Sequence, residues 1–451
     1  MAVWSEISTS ILVGAQRLDA EFWQPKYLDK EKQIRSGDHT HLGALVTTFK
    51  KGIFYILARE YADQGVLFYR SSNVGAILPN EDNITFITEK KHSEEYKTAL
   101  TTGDLMIVKT GKSGASVVFD ESCNVSQDVI AAKAIRNRIN PYYLAVFLNT
   151  QYGKSEMDRW FQGQVQPHLS LEDSRKIWVS LTPDYAQAEV ERLVITSENA
   201  RNNANSSYNQ AQHLLESELG LDKLRFDKPV GYTASFSELE LSHRSDAQHY
   251  QPRFTQLLEH LAKFPVKRIR DIRRYNRRGI QPVYADDGTR AVINSQHIGP
   301  KHINYDGLQK TTEHAFNASP EAHVYLDDLL IYTTGAYIGR TNVYLDQAPA
   351  FASNHVNILR LSPEIDHAYV AMVFQSVIGQ FQTLKYARGS AQAELYPADI
   401  DKFTLPLLSS EKQKKIGDLI RESLTKQLES AQLLDQAKSR VEQLIAEAVQ
   451  P

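Results

Sequence analysis

Arg17–Tyr27 reads RLDAEFWQPKY, and Arg244–Phe254 reads RSDAQHYQPRF. Arg, Asp-Ala, an aromatic, Gln-Pro, a basic residue and a second aromatic recur in one order and one spacing, 227 positions apart. Internal repetition governs the whole fold, because copies of one sequence pattern adopt one local structure. The match continues along the chain. YADQGVLFYRSSNVG from Tyr61 faces YADDGTRAVINSQHIG from Tyr284, GDLMIVKTGKSGASVVF from Gly103 faces DDLLIYTTGAYIGRTNVY from Asp327, and SQDVIAAK from Ser126 faces SNHVNILR from Ser353. From GQVQPHLSLEDSRKIWVSL at Gly163 against GSAQAELYPADIDKFTLPL at Gly389 no gap is needed. The chain reads as a tandem duplication.

Composition sets the bounds. At 451 residues the chain exceeds one ordinary core, so two or three domains are expected. With 42% hydrophobic, 10% aromatic and 23% charged residues it has the make-up of a globular protein. Without an apolar run of membrane-spanning length, and with the start MAVWSEISTS, a cytoplasmic location is expected. Cys123 is the single cysteine, which excludes an internal disulfide framework and makes a zinc ribbon untenable. The formal net charge is -3, so affinity for nucleic acid would have to come from local patches.

Within each copy, DLMIVKT and DLLIYTT read as strands ending in the turns at Gly111 and Gly335. NPYYLAVFLNTQYG and DHAYVAMVFQSVIG read as helices capped by Asn140 or Asp366, with Gly153 or Gly379 near the end. The globular part is therefore mixed α/β. The tails differ in kind. Val190, Leu193, Val194, Ser197, Arg201, Ala204, Tyr208, Ala211, Leu215 and Leu219 mark one face of a long helix, as do Ile416, Ile420, Leu424, Leu428, Ala431, Leu434, Ala437, Val441, Ile445 and Ala448. Each helix is about 35 residues and about 50 Å long at roughly 1.5 Å per residue. A lone amphipathic helix needs a partner, and the other copy's helix is the obvious one. NARNNANSSYNQ, in the middle of the first helix, has either its asparagines on a solvated face or polar residues in the seam that fix register.

These residues resemble the specificity subunits of type I restriction-modification systems. The resemblance covers almost the whole chain and rests on DAEFWQPKY with its echo DAQHYQPRF, and on the junctions WVSLTPDYAQAEVERLV and FTLPLLSSEKQKKIGDLI, where Pro183 with Gln187 and Pro406 with Gln413 hold the places of a Pro-rich motif followed by Gln. It implies two target-recognition domains, residues 1–183 and 223–409, related by a pseudo-twofold and separated by an antiparallel pair of long spacer helices, 184–222 and 410–451. It also implies a subunit that reads double-stranded DNA without catalysis or cofactor, and that positions methyltransferase subunits, two in number, and restriction subunits.

The residues lead to a similar place. Two similar domains at the ends of a helical rod can touch two half-sites on one duplex. The copies diverge most between Lys50 and Asn83 and between Ile269 and Tyr305, so the target is expected to be bipartite and asymmetric. A rod of about 50 Å limits the spacing to about 15 base pairs at roughly 3.4 Å each. VKRIRDIRRYNRRGI carries seven basic residues from Lys267 to Arg278, which suits phosphate contact or bidentate reading of guanine. The candidate DNA contacts are Arg273, Arg274, Arg277 and Arg278 from this cluster, Lys50, Lys51 and Arg70 from the first copy, and Lys109, Lys112, Tyr337 and Arg340 from turns.

Catalytic patterns are thin. TGKS at Thr110–Ser113 lacks the first glycine of a phosphate loop, since Met106 stands in its place. NPYYL at Asn140 has one proline and is explained by helix capping, and the 14 His offer no paired spacing on one helix. Asp82, Glu95 and Lys97 loosely resemble a metal-dependent nuclease core. A self-contained nuclease or modification enzyme built on them is the rival reading.

Overall fold

The computed structural model describes residues 4–9, 12, 17–81, 83–163, 167–227, 229–389 and 392–449. Its repeated motif is a clasp. Arg17 donates from Nε and a terminal nitrogen to the two oxygens of Asp19, at 2.6 and 2.7 Å. Arg244 grips Asp246 in the same bidentate way, at 2.7 and 2.9 Å. The guanidinium beside each carboxylate holds its pKa below the usual range. Pro25 and Pro252 then open the helices Pro25–Ile34 and Pro252–Leu261 at a position where a missing N–H costs nothing.

The chain divides into two compact units. One comprises residues 1–200 with 429–451, the other 201–428, so each long helix contributes a half to either unit. The first unit runs through β1 (His39–His41), β2 (Val46–Lys51), β3 (Tyr61–Ala62), β4 (Val66–Tyr69), β5 (Thr85–Ile87), β6 (Leu105–Val108), β7 (Ala115–Val117), β8 (Cys123–Val125), β9 (Val129–Ala134) and β10 (Trp178–Ser180). Its sheets have the orders β2-β9-β6-β7, β3-β5-β4-β8 and β1-β10. The second unit runs through β11 (Val266–Arg268), β12 (Arg273–Arg278), β13 (Arg290–Ile293), β14 (Lys310–Thr311), β15 (His323–Val324), β16 (Leu329–Tyr332), β17 (Thr341–Val343), β18 (Ala350–Ala352), β19 (Val356–Leu361) and β20 (Thr404–Pro406). Its sheets are β12-β19-β16-β17, β14-β13-β18-β15 and β11-β20; the first and last repeat the order of their counterparts, and the middle one differs in its outer strands. Even the parallel pair recurs, as β4 with β8 and β13 with β18. The fold is mixed α/β with an internal repeat.

One helix expected in each copy is in fact two. Thr150 and Ser376 interrupt the run, and their hydroxyls accept from Gly153 N and Ile378 N to cap a second helix. The pairs are Pro141–Asn149 with Gln151–Trp160, and His367–Gln375 with Val377–Tyr386. Gly153 and Gly379 therefore lie in the first turn of the second helix rather than at an end. A Cβ there would stand 2.2 Å from Phe147 O or 2.1 Å from Phe374 O, so only glycine lets the two helices approach so closely. Packing is shared between copies as well. Tyr143 and Tyr369, both fully buried, donate to Ser180 O and Pro406 O at 2.9 and 2.8 Å.

The long helices are Asp184–Leu219 and Ser410–Val449. In the first unit Val190 and Val194 share a core with Ala437, Val441 and Ile445, Glu189 meets Arg440 at 3.0 Å, and Ser197 Oγ donates to Ser430 O at 2.9 Å. These pairings run antiparallel. In the second unit Tyr208, Ala211 and Leu215 pack with Ile416 and Ile420, and Lys412 pairs with Glu218. The stripe expected along the second helix fails in the middle, where Leu428 is 49% exposed and Ala431 is exposed, while Ser423 and Ser430 are buried. Buried positions follow alternating steps of four and three, the 3.5-residue period of a supercoiled pair, from which a straight 3.6-residue stripe drifts. In NARNNANSSYNQ the seam takes Ala204 and Tyr208, and Asn199, Asn202, Asn203 and Asn209 face solvent. Asn205 accepts from Lys301 Nζ at 3.3 Å.

The motif glutamines have a mechanical role. Gln187 accepts from Asn140 N at 2.8 Å and donates to Thr182 O at 2.7 Å. Gln413 accepts from Asp366 N at 3.3 Å and donates to Leu408 O at 2.8 Å. Each ties the start of a long helix to the cap of the helix beside it.

Candidate nucleic-acid interface

The first-copy lysines and the second-copy arginine cluster occupy equivalent strands. β2 and β12 are both at the edge of their sheets. Lys50 and Lys51 stand opposite Ala131 and Ile130, and Arg277 and Arg278 opposite Ile358 and Asn357. An edge strand has one side free of a backbone partner, which leaves room for long cationic side chains to reach outward. Lys50 and Lys51 are exposed, and Lys51 lies over the ring of Phe54 at 5.2 Å.

The arginines of β12 divide into two groups. Arg273 is bound bidentately by Asp401 at 2.5 and 3.0 Å, so its charge is largely spent within the protein. Arg278 donates to Leu395 O at 3.0 Å, lies 3.7 Å from Glu394 and covers the ring of Tyr396 at 4.7 Å. Arg274 and Arg277 are exposed, and among the described residues neither has an ion-pair partner. Arg70, exposed at the end of β4, is tied to the hydroxyl of Thr85.

The candidate turns are equivalent too. In the first copy Val108 N donates to Gly114 O at 3.0 Å, Gly111 N to Pro167 O at 3.2 Å and Leu169 N to Lys109 O at 2.7 Å. In the second, Tyr332 N donates to Arg340 O at 2.8 Å, Gly335 N to Ala393 O at 3.0 Å and Leu395 N to Thr333 O at 2.9 Å. Lys112 is exposed and Lys109 half-buried. Tyr337 is 52% exposed, and Arg340 stacks over it at 3.8 Å. With Gly111 N engaged by Pro167 O, the Thr110–Ser113 turn has no free amide there for a phosphate.

The second unit thus brings Arg278, Tyr337 and Arg340 onto elements that meet at the segment 388–396, whereas Arg273 is drawn away to Asp401. That segment adds two groups the sequence reading missed. Arg388 pairs with Asp399 at 2.8 Å, and Tyr396 lies under Arg278. The signal was present in the gap-free alignment, where Arg388 and Tyr396 stand against Gln162 and Ser170. Phe54 and Tyr55, 71% and 65% exposed after β2, were also missed, because exposure of an aromatic cannot be read from its neighbours.

Of the rival nuclease group, two members can be placed. Asp82 lies outside the described residues, Glu95 pairs with Lys91 at 3.0 Å, and Lys97 lies over Tyr96 at 5.7 Å. Among the described residues no group of three or more His, Cys, Asp or Glu gathers as a metal set. Cys123 is buried, and that burial pushes its thiol pKa up. No described helix is long and apolar enough to cross a membrane.

Residues 263–439 match the model of the type I restriction modification DNA specificity domain. That span holds β11 through β20 and most of the second long helix, and the first unit repeats the order of two of its three sheets. The second unit is thus similar to the DNA specificity domain of type I restriction-modification systems. No curated protein sequence matches the chain. Among solved structures it is similar to the type I restriction-modification S subunit from M. genitalium, at 12% identity and a TM-score of 0.42 over 91% of this chain and 95% of that one. It is also similar to the HsdS subunit from Thermoanaerobacter tengcongensis, at 13% identity and a TM-score of 0.28 over 91% and 96% of the two chains. Edge strands and turns are the parts of the chain that carry the candidate DNA contacts.

Proposed function

We propose that each unit reads one half of a bipartite, asymmetric double-stranded DNA site, and that the long helices set the spacing between halves. The supporting observation is the duplicated strand plan bearing different side chains at equivalent places: Lys51 where Arg278 stands, Gln162 where Arg388 stands. Equal scaffolds with unequal contact residues give two readers of one design and different sequence preference. Lys50, Lys51, Arg70, Lys109 and Lys112 serve the first half-site. Arg274, Arg277, Arg278, Tyr337 and Arg340 serve the second, with Arg273 acting through its hold on Asp401. Two methyltransferase subunits and the restriction subunits dock on the assembled chain, which supplies sequence choice and no chemistry, in the cytoplasm. Residues 1–183 and 223–409 act as the recognition domains and 184–222 and 410–451 as the spacer.

Exchanging residues 1–183 for the equivalent domain of another specificity subunit tests this directly. One half of the methylated sequence should change and the other persist. A change in both halves contradicts the two-reader design.

A further inference from the structure

The turn between β16 and β17 differs from its first-copy counterpart in one respect that bears on base reading. The first-copy turn passes from Val108 to Gly114 through Lys109–Ser113, and the second passes from Tyr332 to Arg340 through Thr333–Gly339. The two extra residues build an aromatic platform. Tyr337 projects into solvent, and Arg340, which replaces Gly114, stacks on its ring at 3.8 Å.

This turn is rigid. Gly339 N donates to Tyr332 O at 2.8 Å, Arg340 N to Tyr337 O at 3.2 Å and Gly335 N to Ala393 O at 3.0 Å. Gly339 has φ 87°, and a Cβ there would stand 2.5 Å from Thr383 Oγ1, so the turn is fixed against the helix Val377–Tyr386. Its guanidinium stands apart from its neighbours in another way. Arg278 meets Glu394 and Arg388 meets Asp399, whereas no carboxylate lies within ion-pair distance of Arg340 among the described residues. A planar fork stacked on a ring, with its hydrogen-bond donors unspent, has already lost much of the rotamer freedom that binding would otherwise cost. The acceptor pair that matches this fork on duplex DNA is O6 and N7 of guanine in the major groove.

Given the two-reader function proposed above, we propose that Arg340 is the guanine-reading residue of the second half-site and that Tyr337 is the platform that positions it. The first copy has glycine in place of Arg340, so this contact is one source of the asymmetry between half-sites.

The test uses the full chain co-expressed with its methyltransferase, with genomic methylation as the readout. Wild type should methylate a split motif with a fixed G·C pair in one half. Arg340→Ala and Arg340→Lys should both lose about 5- to 150-fold discrimination at that pair, because an ammonium lacks the fork, while the other half is unchanged. Tyr337→Phe should keep the motif, and Tyr337→Leu should loosen the same pair. A motif retained by Arg340→Lys, with Arg340→Ala lowering methylation evenly at all sites, would mark a phosphate contact and overturn the assignment. So would a motif unchanged in both variants, or a wild-type half-site without a fixed G·C pair. Should Arg340→Ala fail to assemble, the Lys variant decides. Wild type directing no split motif would instead remove the two-reader function itself.

Discussion

At the residue scale, the copies can be read against each other as natural substitutions. Gln382 is buried, accepts from Thr404 N at 2.5 Å and donates to Thr404 O at 3.0 Å and Ile378 O at 3.2 Å. Its counterpart is Glu156, 1% exposed, which accepts from Trp178 N at 3.1 Å and leaves Oε1 without a hydrogen-bond partner. Burial pushes the Glu156 carboxyl up to about 7, against the Trp178 N–H and Arg159, which pull it down. Both states hold the proton well below pH 4.5. Between about 4.5 and 7 the unfolded chain ionises first, so stability falls as pH rises, and above 7 the deficit levels off at about 3 kcal/mol. Glu156→Gln should match wild type at pH 3.5, below both pKa values, and exceed it in urea denaturation at pH 8. Equal midpoints at both pH values would show that the carboxylate is accommodated without cost. The Arg-Asp clasp and the Gln-Pro helix start were legible in the sequence because both are local. Glu156 was not, since its burial depends on Trp178 arriving from a strand elsewhere in the fold.

At the element scale, type was easier to read than boundary. The two long helices were legible from their stripes, and the first stripe holds from Val190 to Leu219. The second stripe was read with a drifting period, which placed Leu428 and Ala431 in a seam that Ser423 and Ser430 occupy. Pairing of two helices imposes the 3.5-residue repeat, and one helix read alone does not reveal it. The split at Thr150 and Ser376 escaped for a similar reason, as a hydroxyl that recaps a helix looks in sequence like one that continues it. The glycines that allow the split give a direct check. Gly153→Ala or Gly379→Ala forces a Cβ onto the preceding helix's carbonyl, and each should cost about 1–3 kcal/mol of unfolding free energy. Unchanged denaturation midpoints would mean that the helix pair opens readily to admit the methyl group.

At the scale of the whole molecule, the repeat was legible from the eleven-residue motif of each copy, and two of the three sheets in each unit have the same strand order. The contact surface was legible only in part. Charge density pointed to β12, yet the fold commits Arg273 to Asp401, brings Tyr396 under Arg278 and pairs Arg388 with Asp399. Those placements come from long-range pairing of the segments 333–335 and 393–395, which no local pattern encodes. What the duplicated plan demands is a target with two unlike halves. Methylome sequencing of a strain carrying this chain with its neighbouring methyltransferase, beside the same strain lacking the chain, tests that demand most directly. The duplicated readers predict a split asymmetric motif that vanishes with the chain. An active methyltransferase whose methylation pattern is the same in both strains would contradict it.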